Sequence, residues 1–139
     1  MKKLFILAAG LALFACSAPA PTPEAVSSND YLNYDGLADK WTGGARLIPV
    51  ETPLGTFNVW TKRVGNNPDI KVLLLHGGPG ATHEYFESAD SYFPNASVEY
   101  YYYDQLGSGN SDNPEDPSLW DLDRFIDEVE QVRIALGFD

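Results

Sequence analysis

Two glycines stand between a histidine and a proline in His76-Gly77-Gly78-Pro79-Gly80, directly after the apolar run Val72-Leu73-Leu74-Leu75. Glycines let a backbone approach a reacting carbon without a Cβ in the way. Backbone N–H groups presented in this way stabilise the negative oxygen that forms when an acyl carbon is attacked. The segment therefore points to acyl transfer. Gly78 is the first choice for the oxyanion donor, with Gly77 shaping the loop. Pro79 has no N–H to offer and stiffens the turn. His76, Pro79, Gly80 and His83 are candidates for the surrounding pocket. Acyl transfer also needs a nucleophile, a base and a group that orients the base. No Gly-x-Ser-x-Gly elbow occurs in the sequence, and Ser88, Ser91, Ser108 and Ser111 lack its context. Where such an elbow exists, the histidine base follows it along the chain. His76 is thus expected to pin its loop by hydrogen bonds, and His83 to sit in a loop or at the pocket rim. The chain reads as the first part of a hydrolase, with half of an oxyanion hole and no triad.

Elements that could position this loop follow from patterning. Arg46 to Glu51 and Thr56 to Arg63 read as strands joined by Thr52-Pro53-Leu54-Gly55, a Pro-then-Gly turn signal. Lys71 to His76 lacks alternation, which fits a strand covered on both faces of a mostly parallel sheet. His83 to Phe93 reads as a short helix or irregular turn. Val98 to Asp104 carries Tyr100 to Tyr103 in series and reads as a strand with both faces packed. Core and wall packing, not chemistry, is the expected role of these tyrosines. Ser118-Leu119-Trp120-Asp121 matches a capping box. After it, Leu119, Leu122, Phe125 or Ile126, Val129, Val132 and Leu136 fall on one helical face, and Gly137 suits a left-handed C-cap. Strands alternating with helices imply an α/β fold.

A second motif, Asp104-Gln105-Leu106-Gly107-Ser108-Gly109-Asn110-Ser111, ends the tyrosine strand. A dinucleotide loop needs a third glycine where Asp112 stands, and the EF-hand carboxylate spacing is not met. Taken with His-Gly-Gly-Pro-Gly, the loop resembles the proline iminopeptidase family of α/β-hydrolases. Its members show that pentapeptide and then a strand ending Tyr-Asp-Gln-x-Gly-x-Gly-x-Ser. Ala81-Thr82-His83-Glu84-Tyr85 is similar to a run in the tricorn-associated branch. The resemblance covers Gly44 to Asp139. Leu106 and Asn110 stand where many members have Arg. The resemblance implies the N-terminal part of an α/β-hydrolase domain over residues 37–139, cut before the nucleophile elbow, with the rest of the site beyond Asp139. It implies a serine hydrolase releasing N-terminal residues, proline preferred, from peptide substrates. Gln105 joins the pocket candidates on this basis. No cofactor or metal is implied. Without a neighbouring strand, residues 72–75 would be an open apolar edge that invites pairing. Residues 16–139 alone are therefore expected to be poorly soluble or molten, and inactive.

The start of the chain carries a different message. Met1-Lys2-Lys3 and the apolar run Leu4 to Ala15 read as a signal peptide over residues 1–15. Leu13-Phe14-Ala15-Cys16 is similar to a bacterial lipobox, with Phe14 where a small residue is usual. Cys16, the only cysteine, is expected to be lipidated and to anchor the protein in the membrane. Ser17 then points to the outer membrane, with the domain facing the periplasm. Residues 16–36 read as the lipidated cysteine and a flexible Pro/Ala/Ser linker. The formal net charge is −11, which argues against a nucleic-acid partner. Two alternatives stay open: another α/β-hydrolase activity (esterase or amidase), or a non-enzymatic truncated lipoprotein.

Overall fold

The computed structural model describes residues 28–34, 44–78 and 80–138. The signal segment, Cys16 and Pro79 lie outside the described residues. In chain order the elements are a helical turn α1 (Ser28–Tyr31), strands β1 (Ala45–Thr52), β2 (Gly55–Val64), β3 (Lys71–Leu75) and β4 (Glu99–Asp104), and helix α2 (Leu122–Ala135). Segments of 3-10 helix lie between them at His83–Ser91, Pro94–Ala96 and Pro117–Leu119, nine residues in the first and three in each of the others.

The expected hairpin forms. β1 and β2 pair antiparallel from Ala45 opposite Lys62 to Thr52 opposite Gly55. The Thr52 hydroxyl closes the turn, donating to the Gly55 carbonyl at 2.7 Å. The sheet order is β1-β2-β4-β3. β2 and β4 are antiparallel, and β3 and β4 are parallel, so the described sheet is mixed. The parallel character sits in the β3–β4 pair, whose C-terminal ends emerge side by side.

Alternating side chains divide the core between the two faces of the sheet. Ile48, Val50, Val59 and Tyr103 meet Leu106, Leu119 and Val132 on the α2 face. Trp60, Leu74, Tyr100 and Tyr102 form the other cluster, with Phe86 and Phe93 against it. Every β4 residue is buried, as the two-faced packing of the tyrosines requires. Their hydroxyls are bonded within the protein: Tyr100 and Tyr102 to Asp90, Tyr101 to Glu99, Tyr103 to Glu128. β3 packs on both faces, Leu73 against the α2-side cluster and Val72 and Leu74 against the other. Among the described residues it pairs on one side only, and Leu75 is 48% exposed, so its outer edge is open.

Two expectations are corrected. Residues 28–34, placed in the flexible linker, pack on the sheet. Tyr31 is buried and its hydroxyl donates to the Val98 carbonyl at 2.8 Å, while the Gly65 N–H donates to the Tyr34 hydroxyl at 2.9 Å. Two aromatic rings supply the apolar area and hydrogen-bonding tips that dock this stretch. Ser118 does not cap α2. Asp116 caps the short Pro117–Leu119 turn, accepting from the Ser118 N–H, and Asp121 caps α2, accepting from the Asp123 N–H at 3.0 Å. The buried face of α2 shifts accordingly. Arg124, Glu128 and Val132 are buried, four residues apart, whereas Leu122 and Ile126 are exposed.

Candidate oxyanion site

Because β3 and β4 are parallel and adjacent, Gly77-Gly78 and Gln105 leave the sheet at the same end. His76 ties the two exits together. Its Nε2 accepts from the Gln105 N–H at 2.9 Å, which places the ring proton on Nδ1, 2.7 Å from the Gly77 carbonyl. The Gln105 amide donates back to the His76 carbonyl at 3.3 Å. His76 is 3% exposed. It holds the loop and does not line the cavity at Gly78, which corrects its place among the pocket candidates.

The two glycine N–H groups have different fates. Gly77 donates to the Tyr85 hydroxyl at 2.8 Å. Gly78 finds no acceptor among the described residues. A Cβ on Gly78 would lie 2.5 Å from Gln105 Oε1, the tip of that side chain, so a larger residue there would displace the Gln105 amide. Gly78 and Gln105 open onto a cavity of about 360 Å3, walled by Trp120, Leu122 and Phe125. A donor with no internal acceptor, set in a partly apolar recess, is the arrangement an oxyanion hole needs. Gly80 is exposed in the left-handed region at φ 90°.

His83 is not brought to this cavity, which corrects its place at a pocket rim. It is 7% exposed, its Nδ1 lies 2.8 Å from Asp104 Oδ1, and its ring packs 4.6 Å from Trp60. Asp104 also accepts from the His83 N–H at 2.9 Å and from the Asn110 N–H at 3.0 Å. The components of a triad are thus split. Ser108 Oγ lies 3.4 Å from His76 Nε2, but it donates to the Gln105 carbonyl at 2.8 Å, and His76 Nδ1 faces a carbonyl and not a carboxylate. The histidine beside a carboxylate and the histidine beside a serine are different residues, so neither serves as a relay.

The Gly107-x-Gly109 motif acquires a physical reason. Gly107 and Gly109 have φ of 86° and 52°. A Cβ on Gly107 would enter the Trp120 ring, and one on Gly109 would enter the Asp104 carboxylate. The glycines admit a side chain on each side of the loop; no phosphate need be invoked. Sequence reasoning missed Tyr85, Trp120 and the buried Arg124–Glu128 pair. The four-residue spacing of Arg124, Glu128 and Val132 was the available signal. Among the described residues no group of three or more His, Cys, Asp or Glu could hold a metal ion, and no helix is long and apolar enough to cross a membrane.

Sheet order, parallel β3–β4 pair and glycine loop together define a class. Residues 71–139 match the alpha/beta hydrolase fold, and the chain belongs to that family. Within it the chain is a relative of proline iminopeptidases. It is 60% identical over 93 residues to those of Chitinophaga pinensis and Flavobacterium johnsoniae, covering 67% of this chain and 31% of each relative. The crystal structure of the Mycobacterium smegmatis proline iminopeptidase superposes with a TM-score of 0.56 at 28% identity, over 67% of this chain and 32% of that one. The chain spans about a third of the length of the curated relatives it matches.

Proposed function

We propose that this chain carries the oxyanion loop of a serine hydrolase that releases N-terminal residues, proline preferred, from peptides through an acyl-serine intermediate. The observation that carries the reading is the Gly78 N–H, without an internal acceptor at the mouth of a cavity, one residue from a Gly77 N–H already engaged by Tyr85. The 60% identity to proline iminopeptidases supports the substrate class. In this reading Gly78 donates to the carbonyl oxygen as it becomes an oxyanion, so the bond strengthens in the transition state and raises kcat. His76 and Gln105 fix the loop, and Trp120, Leu122 and Phe125 keep water from one side of the reacting carbon. The second oxyanion donor, the nucleophile, the acid and the base come from residues outside this chain. Cys16 lipidation and outer-membrane anchoring, with the domain facing the periplasm, rest on the sequence of residues 1–17 alone. Mass spectrometry of the mature N-terminus tests them.

The whole protein carrying this chain tests the activity. A fluorophosphonate should label one serine in a Gly-x-Ser-x-Gly elbow, and prolyl-arylamide should be cleaved with a burst. Labelling without cleavage of any aminoacyl-arylamide would remove the peptidase reading. Absence of labelling would remove the serine-hydrolase reading.

A further inference from the structure

Glu128 is 2% exposed, on the inner face of α2, and it is a costly residue to bury. Its Oε1 accepts from the Leu106 N–H at 3.0 Å and from the Tyr103 hydroxyl; its Oε2 pairs with Arg124. Arg124 is itself 9% exposed, lies 3.9 Å over the Phe125 ring, and keeps Nε and Nη2 without a partner among the described residues. A buried ion pair of this kind is often no more stabilising than apolar residues of the same size, so its place in the core calls for another account. The bonds supply one. Leu106 follows Gln105, whose N–H is held by His76 Nε2 at 2.9 Å and whose Oε1 fills the space that a Cβ on Gly78 would need.

We infer that Glu128 is a positioning residue for the oxyanion loop, acting from α2 through Leu106 and Gln105 on Gly78. It touches neither substrate nor reacting atoms. It fixes where the exit of β4 lies, and that exit in turn sets the height and tilt of the Gly78 peptide plane. Hydrogen-bond distance to a developing oxyanion is steep in its effect, so loss of the anchor acts on the transition state more than on substrate binding.

The inference rests on the proposed hydrolase activity for one of its two readouts, and the experiment separates the two. Arg124→Met combined with Glu128→Leu removes the pair without stranding a charge. Arg124→Met combined with Glu128→Gln keeps an amide oxygen for Leu106 and Tyr103. In the whole protein, with active sites titrated by fluorophosphonate, the leucine variant should lose about tenfold in kcat and in kcat/KM alike, with KM unchanged. The glutamine variant should recover most of that loss. In parallel, amide exchange at Gln105 should be faster in the leucine variant by about tenfold and close to wild type in the glutamine variant. Equal kcat per titrated site and equal Gln105 exchange in the two variants would overturn the inference, as would a change in KM alone. A wild-type protein with no hydrolase activity would instead refute the proposed function, and the exchange readout would still decide the role of Glu128.

Discussion

The loops after β3 and after β4 leave neighbouring parallel strands at the same end of the sheet, yet they use their polar groups in opposite ways. After β4, most backbone N–H groups from Gln105 to Asp112 are engaged inside the protein. Asp104 holds His83 and Asn110, Ser111 bridges the Trp60 N–H and the Asp104 carbonyl, Asp112 holds Asn58, and Glu128 holds Leu106. After β3, Gly77 and Gly78 are exposed, and the Gly78 N–H has no acceptor among the described residues. On the proposed reading the two loops divide the labour: the bonds made after β4 hold the exit of β3, which presents a donor.

Several measurements on the whole protein would break or sharpen this contrast. The largest effect should come from alkali, which spares neither loop. Burial, first of all, pushes the Tyr31 hydroxyl up to about 12 and pushes Tyr100, Tyr102 and Tyr103 higher still, with Asp90 or Glu128 adding to the last three. Each folded-state value lies above the unfolded one, so the stability they contribute is fully present below about pH 10 and is lost as pH rises through 12 and beyond. Phenolate absorbance should therefore appear together with loss of the far-UV CD signal. Ionisation of all eight tyrosines at pH 10 with the fold intact would contradict the buried β4.

Next comes Asp104→Ala, which strands the buried His83 donors and removes the acceptor of the exposed Asn110. A loss of about 3–5 kcal/mol is expected from urea denaturation. Gly107→Ala should cost about 3 kcal/mol, because the new methyl enters the Trp120 ring at a positive φ. Gly80→Ala, also at positive φ but with nothing within 4 Å, should cost only the backbone term of about 1 kcal/mol. Similar losses at Gly107 and Gly80 would erase the proposed difference between packed and open loops. The smallest effect belongs to Tyr85→Phe, which frees the Gly77 N–H at an exposed site; about 0.5 kcal/mol or less is expected.

What was legible in the sequence was local. The Thr52–Gly55 hairpin formed because Pro and Gly set the turn within four residues, and the tyrosine run became a fully buried strand because aromatics with bonded hydroxyls suit both faces of a sheet. The glycine loop was legible for the same reason. What failed depended on distant partners. Asp116, Ser118 and Asp121 are all good caps within six residues, and the burial of Leu119 and the docking of Trp120 on Gly107 select Asp121. Nothing in the sequence separates Arg124 and Glu128 from the other charged residues of α2 until Tyr103 and Leu106 are placed beside them. His83 read as a loop or rim residue because nothing near it in sequence announces Asp104, 21 positions away. The docking of Tyr31 and Tyr34 likewise requires Val98 and Gly65.

The central claim is that the Gly78 N–H, and not that of Gly77, meets the oxyanion. The most direct test is amide NMR of the whole protein before and after a phosphonate is bound covalently at its serine. The Gly78 amide should move strongly downfield as it bonds the phosphonyl oxygen, and the Gly77 amide, held by Tyr85, should stay in place. A downfield shift at Gly77 with Gly78 unmoved would contradict the account.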